Sequence, residues 1–466
     1  MLSAIFCLFG IVAVFRLFHC SVLKKAYLFF SFNTFICLKF FGLEIPNNER
    51  PEFFFEELVQ VLEKLNDRSP VLKSKEFDLD IAQANQVIAK SEQGFKFGLK
   101  VSGQSIHEDR PSEDFYHRYR TFNQAYLTKP IFHWGALKAR EQIAKLNISW
   151  AEDSFTVQRR TLAGEVRGVF LKLIALNYRS QMAIEQLRIA TQYVETIEKR
   201  LELNLSTPLA LEEARVEQLN REISIAELRT SLERNKAYFV SLSGYDEPLS
   251  LKITKVFWEF SKSHNFNQEF PILIGSLSNI EVERLQTQVK IEDEHIKIAE
   301  AELKPKINLT GAYFQDQVDL AEGRSSLDRN NFLVGLEASW SIWDSHKSTG
   351  QKKIALAKKL KLENTIETQN RELRDKVRSV VSELKSLKER IMLGRKLISV
   401  AENRLEKSKI ELQMDRISPA DHFSARVALD QSQLENLEAV CQFMVLLDQY
   451  EQIVMFETFI NYPNSK

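Results

Sequence analysis

The feature that most constrains this chain is an internal repeat. When residues 139–228 are shifted by 211 positions, identical residues align without a gap. In a first stretch the aligned residues are Gln158, Arg160, Leu162, Val166, Arg167, Val169, Leu173, Leu176 and Arg179 with Gln369, Arg371, Leu373, Val377, Arg378, Val380, Leu384, Leu387 and Arg390. Further on they are Ala190, Leu201, Pro208, Ala214, Arg215 and Val216 with Ala401, Leu412, Pro419, Ala425, Arg426 and Val427. A repeat of roughly 200 residues is far longer than the units of solenoid proteins. The sequence therefore predicts two equivalent halves with the same elements in the same order.

The charge balance narrows the class of function. The chain of 466 residues carries 63 basic and 63 acidic side chains. Zero net charge creates no field that attracts nucleic acid, so nucleic acid is not expected as a partner. A charged fraction of 27% excludes a body made of transmembrane helices.

The first 43 residues differ from the rest, because residues 1–18 and 26–43 are almost wholly apolar. One interpretation is a secretory leader whose translation starts near Leu23, with Lys24 and Lys25 as its charged region. The alternative is one or two short membrane-anchoring helices. Outside this segment Cys441 is the lone cysteine, and it is expected to act as a small hydrophobic residue.

Each half contains two segments in which apolar and polar residues alternate, which is the period of a β-strand. The strands are expected at about residues 96–103 and 122–131, and at about 306–314 and 331–342. The charged stretches between them, residues 104–119 and 315–330, are interpreted as loops of hairpins. An alternating strand of about ten residues is long enough to cross a membrane as part of a barrel. A soluble hairpin with one buried face would show the same pattern.

Long helical hairpins follow the strands, at about residues 136–243 and 346–455. A 4-3 spacing of apolar residues along them predicts a coiled-coil seam. The hairpin turns match: Asn204, Ser206, Thr207 and Pro208 in the first, and Asp415, Arg416, Ser418 and Pro419 in the second. Ser or Thr before Pro marks the start of the returning helix, and Asn or Asp suits a left-handed turn residue.

The predicted segments are a leader at 1–43, a first repeat at 44–243, a linker at 244–276, a second repeat at 277–455 and a tail at 456–466. The fold class is α+β and mainly α, built from a duplicated unit of helix, β-hairpin and long helical hairpin. Four strands are too few to close a barrel. Three copies would supply 4 × 3 = 12 strands, an even number that can close, so a homotrimer is expected.

The chain resembles the outer membrane efflux protein family, the TolC-like channel-tunnels. Several stretches carry the resemblance: the strand-to-helix junctions Lys129–Gly135 and Ser339–Asp344, the start of a strand at Lys304–Gly311, and the turn Ser418–Asp421 with Ala425 and Arg426. The likeness covers about residues 52–455 and rests on order, spacing and duplication.

The resemblance implies a trimeric 12-stranded β-barrel in the outer membrane, continued by a periplasmic α-helical barrel. It also implies an export conduit whose hairpin tips dock a periplasmic adaptor and, through it, an inner membrane transporter, with outer membrane lipid around the barrel. The family is not enzymatic. Asn204 and Asp415 depart from it, since family members usually have Gly at the tip turn.

The resemblance also implies candidate site residues. Asp421 matches a position where family members narrow the pore with acidic residues, but Ser424 stands at the next such position. Asp421 is equally explained as a first-turn acid that complements the helix dipole. Arg416 is a further pore candidate that could pair with a neighbouring carboxylate. Trp134, Trp340 and Trp343 are expected to form an aromatic belt at the membrane surface, while Trp258 packs within the linker.

No phosphate-binding loop, nucleophile elbow, paired catalytic carboxylates or metal-ligand spacing is present, so neither an enzyme nor a cofactor is expected. The alternative function is an elongated coiled-coil scaffold held in a membrane by its N-terminus. The alternating strands argue against it, because a scaffold has no use for matched hairpins with apolar faces.

Overall fold

The computed structural model describes residues 49–110, 113–266, 270, 279–318, 327–414 and 416–454. Two compact units are distinguished, Met1–Phe54 and Phe55–Lys466. Within the described part of the first, Pro51–Phe53 forms a single 3-10 turn and Phe53 packs edge-on against Phe54. The predicted leader and tail, at residues 1–43 and 456–466, lie outside the described residues.

The second unit is mainly helical and contains one antiparallel sheet. Its elements before the linker are α1 (Glu56–Glu63), α2 (Leu65–Arg68), α3 (Pro70–Ser91), β1 (Lys96–Arg110), β2 (Glu113–Phe132), α4 (Ala136–Glu202) and α5 (Pro208–Ser243). Those after it are α6 (Lys255–Ser263), α7 (Ile280–Ala301), β3 (Lys306–Val318), β4 (Leu327–Ser339), α8 (Lys347–Gln413) and α9 (Pro419–Val454).

The sheet has the strand order β1-β2-β3-β4, so each strand pairs with its neighbour in sequence. All three pairs are antiparallel. Within the described chain, β1 and β4 each have one strand edge without a partner strand. The α+β class with a small antiparallel sheet is therefore confirmed.

The strands are longer than predicted, and the interpretation as loops was wrong for residues 104–110, 113–119, 315–318 and 327–330, which belong to strands. β1 continues to Arg110, and β3 continues to Val318. The charged side chains do not end the strands, because a ladder needs only backbone groups and the polar side chains can meet across it. Arg120 and Asp316 show this, forming a two-point ion pair from β2 to β3 at 2.7 and 2.8 Å.

The two long helices have the same length of 67 residues, and the two returning helices have the same length of 36 residues. Each long helix packs along its returning helix, and α4 also contacts α3, α7 and α9. At 1.5 Å per residue a 67-residue helix is about 100 Å long. The predicted seam is buried at Leu162, Val166, Leu173, Ala183, Ala190, Val194 and Ile197 and again at Leu373, Val377, Leu384, Ile398 and Ala401. Among the described helices, none combines the length and apolar character needed to span a membrane.

The predicted linker, residues 244–276, contains the short helix α6. The Thr254 hydroxyl caps the first turn by accepting from the Phe257 amide at 3.2 Å. At the other end, the Arg395 guanidinium of α8 donates to the carbonyls of Ser261 and His264 at 3.0 and 2.6 Å. A helix of nine residues is too short for its periodicity to be recognised in the sequence. Trp258, which was predicted to pack within the linker, packs against Tyr178 of α4.

Aromatic residues join the linker to the long helix. The Phe55 ring lies 5.4 Å from Phe170 of α4 and 5.1 Å from Phe257 of α6. Phe170 in turn contacts Phe239 of α5 at 6.2 Å. All four side chains are fully buried. Cys441 is also buried, and burial raises the pKa of its thiol to about 12, which agrees with a small hydrophobic role.

Two glycines of α4 face α9 with different clearances. A Cβ at Gly164 would lie 2.5 Å from Asp448 Oδ2 and 2.3 Å from Gln452 Nε2. Asp448 is held there by Arg167, whose Nη1 donates to it at 2.6 Å. A Cβ at Gly168 would meet only the Val445 methyl groups at 3.8 and 3.9 Å, which is ordinary contact.

These clearances predict opposite effects of the same substitution. Gly168→Ala should stabilise the protein by about 0.5–1 kcal/mol, because Ala is the better helix residue. Gly164→Ala should destabilise it by about 1 kcal/mol or more, because the added methyl displaces the ion-paired Asp448. Urea unfolding of the two purified variants measures the difference. Equal stabilisation by both would show that α4 and α9 do not pack this closely.

Candidate functional site

The strand register sorts the side chains of the sheet onto two unlike faces. Directly paired residues point to the same side, and successive residues along a strand point to opposite sides. The pairs Phe97–Leu127, Leu99–Ala125, Leu309–Leu336 and Gly311–Val334 therefore share one face with Val101, Tyr313, Phe332 and Ala338. We call this the apolar face. The other, called the polar face, carries Lys100, Gln124, Thr128, Thr310, Asn331 and Glu337.

The apolar face is uncovered. On its outer strands, Phe97, Leu99 and Val101 of β1 and Phe332, Val334 and Leu336 of β4 are between 62% and 79% exposed. The band runs from Phe332 to Ala338 along β4, which is about 20 Å at 3.3 Å per residue. This length is of the same order as the roughly 25 Å apolar band of an outer membrane barrel. Such a surface requires a lipid or protein environment.

Two Trp residues of the strand-to-helix junctions donate hydrogen bonds to the same short segment. The Trp134 indole donates to the Pro305 carbonyl at 2.7 Å, and the Trp340 indole donates to the Leu303 carbonyl at 3.0 Å. Both junctions are thus fastened to the segment between α7 and β3. Trp343 contacts the His346 ring at 4.8 Å. The strand that was predicted to reach residue 342 ends at Ser339, so Trp340 and Trp343 lie just beyond β4.

The junctions also contain the sharp turns that the chain needs to pass from strand to helix. Trp134 and Gly135 have φ values of 52° and 82°, and Ser345 and His346 have values of 54° and 67°. Left-handed conformations cost energy in residues other than Gly. The Trp134 indole hydrogen bond and the Asp344 carboxylate, which accepts from the Ser348 amide at 2.8 Å, offset this cost.

The first hairpin tip, residues 203–209, is closed by backbone bonds around Asn204. Asn204 has φ 56°, which confirms the left-handed turn predicted for it. The Leu205 amide donates to the Arg200 carbonyl at 2.7 Å, and the Asn204 amide donates to Leu201 at 2.9 Å. Thr207 then caps α5 by accepting from the Ala210 amide at 3.2 Å, and Pro208 takes the first helical position. Ser206 is half-buried within this turn.

The second hairpin tip, residues 414–421, has the same kind of closure. The Arg416 amide donates to the Glu411 carbonyl at 2.9 Å, five residues apart as in the first tip. Asp415 itself lies outside the described residues. The Arg416 side chain is exposed and makes no ion pair with another described residue.

Asp421 completes a capping box with Ser418. Its carboxylate accepts from the Ser418 amide at 3.1 Å and from the Ser418 hydroxyl at 2.7 Å. The Ser418 hydroxyl accepts in return from the Asp421 amide at 3.2 Å. These bonds lower the pKa of the Asp421 carboxyl from its ordinary value. Ser424 is exposed on the next turn, and Pro419 begins α9.

The tips expose apolar residues that were not predicted from the sequence as site residues. Leu203, Leu205 and Leu209 of the first tip and Met414 of the second are between 57% and 73% exposed. A second contact missed from the sequence joins α8 to α9 behind the tip, where His422 Nδ1 lies 2.9 Å from the buried Ser408 hydroxyl. The signal for the apolar tip was present, since Leu residues flank the turn on both sides.

Residues 61–244 match the family described as outer membrane efflux protein. Over these residues the chain is similar to members of that family. The resemblance to the outer membrane efflux protein family that the sequence motifs indicated is therefore confirmed. The outer membrane localisation with a periplasmic extension agrees with this family, which transports rather than catalyses.

Solved structures of outer membrane channels share the fold. The outer membrane protein VceC from Vibrio cholerae is 16% identical with a TM-score of 0.68, over 88% of this chain and 99% of that chain. The CmeC outer membrane channel of Campylobacter jejuni is 14% identical with a TM-score of 0.72, over 86% of each chain. The open state of the Neisseria gonorrhoeae MtrE outer membrane channel is 12% identical with a TM-score of 0.65, over 85% of this chain and 88% of that chain. No curated protein matches the sequence.

The capping box predicts a local, pH-dependent stability at the second tip. In Asp421→Ala the Ser418 amide loses its acceptor, and its hydrogen exchange should be about fivefold faster, since a helix cap is worth about 1 kcal/mol. Ser424→Ala, one turn on, is the control and should leave that amide unchanged. A carboxyl whose pKa is lowered by folding stabilises above its ordinary pKa and loses this effect as the pH falls through the lowered pKa.

The difference between Asp421→Ala and the unmodified protein should therefore disappear at low pH. Amide hydrogen exchange followed by mass spectrometry measures it. A difference that persists after the carboxyl is protonated would show that Asp421 does not act as this cap.

Proposed function

We propose that the protein is a homotrimeric outer membrane channel through which substrates pass from the periplasmic side to the exterior. The observation that carries the proposal is the sorting of side chains in the sheet, with mainly apolar residues of all four strands on one exposed face and mainly polar residues on the other. A membrane barrel needs this arrangement, because one face meets lipid and the other lines water.

The strand order supports closure by copies of the chain. In an antiparallel meander of four strands, β4 runs opposite to β1. If β4 of one copy pairs with β1 of the next, the antiparallel ladder therefore continues across the contact. Three copies give 4 × 3 = 12 strands and leave no free edge, which is required in lipid.

The helices supply the periplasmic part of the proposed conduit. We propose that the two halves of the chain are equivalent units, which is supported by helix pairs of equal length that start 211 residues apart. Helices of about 100 Å continue the barrel as a tube. The narrow end then lies at the hairpin tips, where Arg416, Asp421 and Ser424 are the candidates for the constriction.

The tips are the proposed docking site for a periplasmic adaptor, which connects the channel to an inner membrane transporter. Exposed Leu203, Leu205, Leu209 and Met414 support this, since apolar side chains in a solvent-facing turn are characteristic of contact surfaces. Energy for transport comes from the transporter, and conduction through this protein is passive.

Planar bilayer recording tests the proposed function. The detergent-purified protein should insert and give discrete conductance steps, with membrane current carried through one pore per trimer. An assembly that binds membranes and conducts nothing would instead support the elongated scaffold anchored by its N-terminus.

Charge substitution on the two sheet faces predicts different outcomes for assembly. Val334→Lys places a charge at the middle of the apolar face, where Lys costs about 2–4 kcal/mol in lipid, so outer membrane assembly should be largely lost. Glu337→Lys, three residues along β4 on the polar face, should assemble normally. The measurement is the fraction of each variant recovered from isolated outer membranes. Equal recovery would mean that the apolar face does not meet lipid.

A substitution in the first tip should weaken adaptor docking more than insertion of the channel into the membrane. Asn204→Ala strains a residue held at φ 56°, by about 1–2 kcal/mol, and should weaken adaptor docking. Asn204→Gly tolerates this conformation and serves as the matched control. The measurement is the amount of adaptor that co-purifies with the assembled channel, beside the amount of channel in the membrane. Equal loss of docking and insertion in Asn204→Ala would contradict the assignment of the tip.

A further inference from the structure

The charges of the sheet are distributed unequally between its two faces. Among strand residues whose side chains are described, the polar face carries the bases Lys96, Lys100, Arg120, Lys306 and Arg329 and the acids Asp316 and Glu337. The apolar face carries Lys129 and Asp328, at opposite ends of the band. The polar face therefore has an excess of positive charge although the whole chain is neutral.

Ion pairing removes part of this charge and leaves the rest free. Asp316 is bound by Arg120 at 2.7 and 2.8 Å, and Lys306 is bound by Glu302 at 3.1 Å. Lys96 and Lys100 form no ion pair with another described residue. Arg329 interacts electrostatically with Asp316, which Arg120 already binds, so these three side chains together keep one net positive charge. Glu337 is then the acid that remains on this face. Each chain thus presents more free cations than free anions to the polar face.

Lys100 and Arg329 share rows of the ladder with aromatic residues. Arg329 is paired in the ladder with Asp316, which is paired with Phe122. Lys100 is paired with Gln124, which is paired with Phe314. These two rows are two residues apart along the strands, or about 7 Å. The Phe122 and Phe314 rings are 5.9 Å apart and half-buried, and the Arg120 guanidinium lies 5.8 Å from the Phe122 ring.

We propose that this basic–aromatic patch, formed by Lys100, Arg120, Phe122, Phe314 and Arg329, selects organic anions that carry an apolar or aromatic body. Lys100 and Arg329 attract the acid group, and the Phe122 and Phe314 rings contact the body. The inference rests on the proposed function, which places the polar face in the lumen. Charge alone would favour every anion, whereas the rings add a preference for those with an apolar part.

The ion selectivity of the channel tests whether Lys100 and Arg329 attract anions. Reversal potentials are measured in a potassium chloride gradient across planar bilayers. Lys100→Gln and Arg329→Gln should each lower the chloride-to-potassium permeability ratio about twofold, since each removes three cations from one trimeric pore. Lys129→Gln, on the apolar face, is the matched control and should leave the ratio unchanged. Unchanged ratios in both polar-face variants would overturn the proposal.

The contribution of the Phe122 and Phe314 rings is tested by comparing how two sulfonates of equal charge block the channel current. Naphthalenesulfonate should reduce the current at a lower concentration than methanesulfonate, which has the same acid group and no ring. Phe122→Ala and Phe314→Ala should each weaken the naphthalenesulfonate block about fivefold to tenfold, and Phe332→Ala on the apolar face should not change it. Equal block by both sulfonates would overturn the proposal and leave the channel intact. Absence of any conductance would instead overturn the proposed function.

Discussion

A β-sheet in a membrane must hydrogen-bond the backbone groups of its edges, because lipid supplies no substitute for a missing partner. The four-stranded sheet of this chain leaves one edge on β1 and one on β4. Its meander order makes those edges antiparallel to each other, so copies of the chain can satisfy them. In the proposed barrel, the apolar face with Leu99, Val334 and Leu336 meets lipid, and the polar face with Lys100 and Asn331 lines the lumen.

The long helices also have surface that neighbouring copies would cover in the proposed trimer. A helix of about 100 Å buries one stripe against its returning partner and keeps further surface for neighbours. The seam through Val166 and Leu173 is covered within the chain, and close approach of α4 to α9 is permitted by Gly164. The junction Trp residues join the two regions, because their indoles bind backbone carbonyls at the start of β3. These hydrogen bonds connect the sheet to the helices.

The sequence predicted the elements better than their ends. The shift of 211 residues located both helical hairpins, since long helices are set by a periodicity that extends over many turns. The left-handed turn at Asn204 was also predicted, because Asn is one of the residues that tolerate this conformation. Strand ends were missed because Arg120 and Asp316 look like loop residues until their contact across the ladder is known. Asp421 remained ambiguous in the sequence for the same reason, as its capping partner is visible only in three dimensions.

Closure of one barrel by three copies of the chain is tested by the mass of the assembled protein. Light scattering of the detergent-purified protein, corrected for bound detergent, counts the chains in each particle. Three chains are expected, because they supply 12 strands from the four in each copy. A stable monomer or dimer would leave strand edges unpaired or a barrel of too few strands, and would contradict closure by three copies.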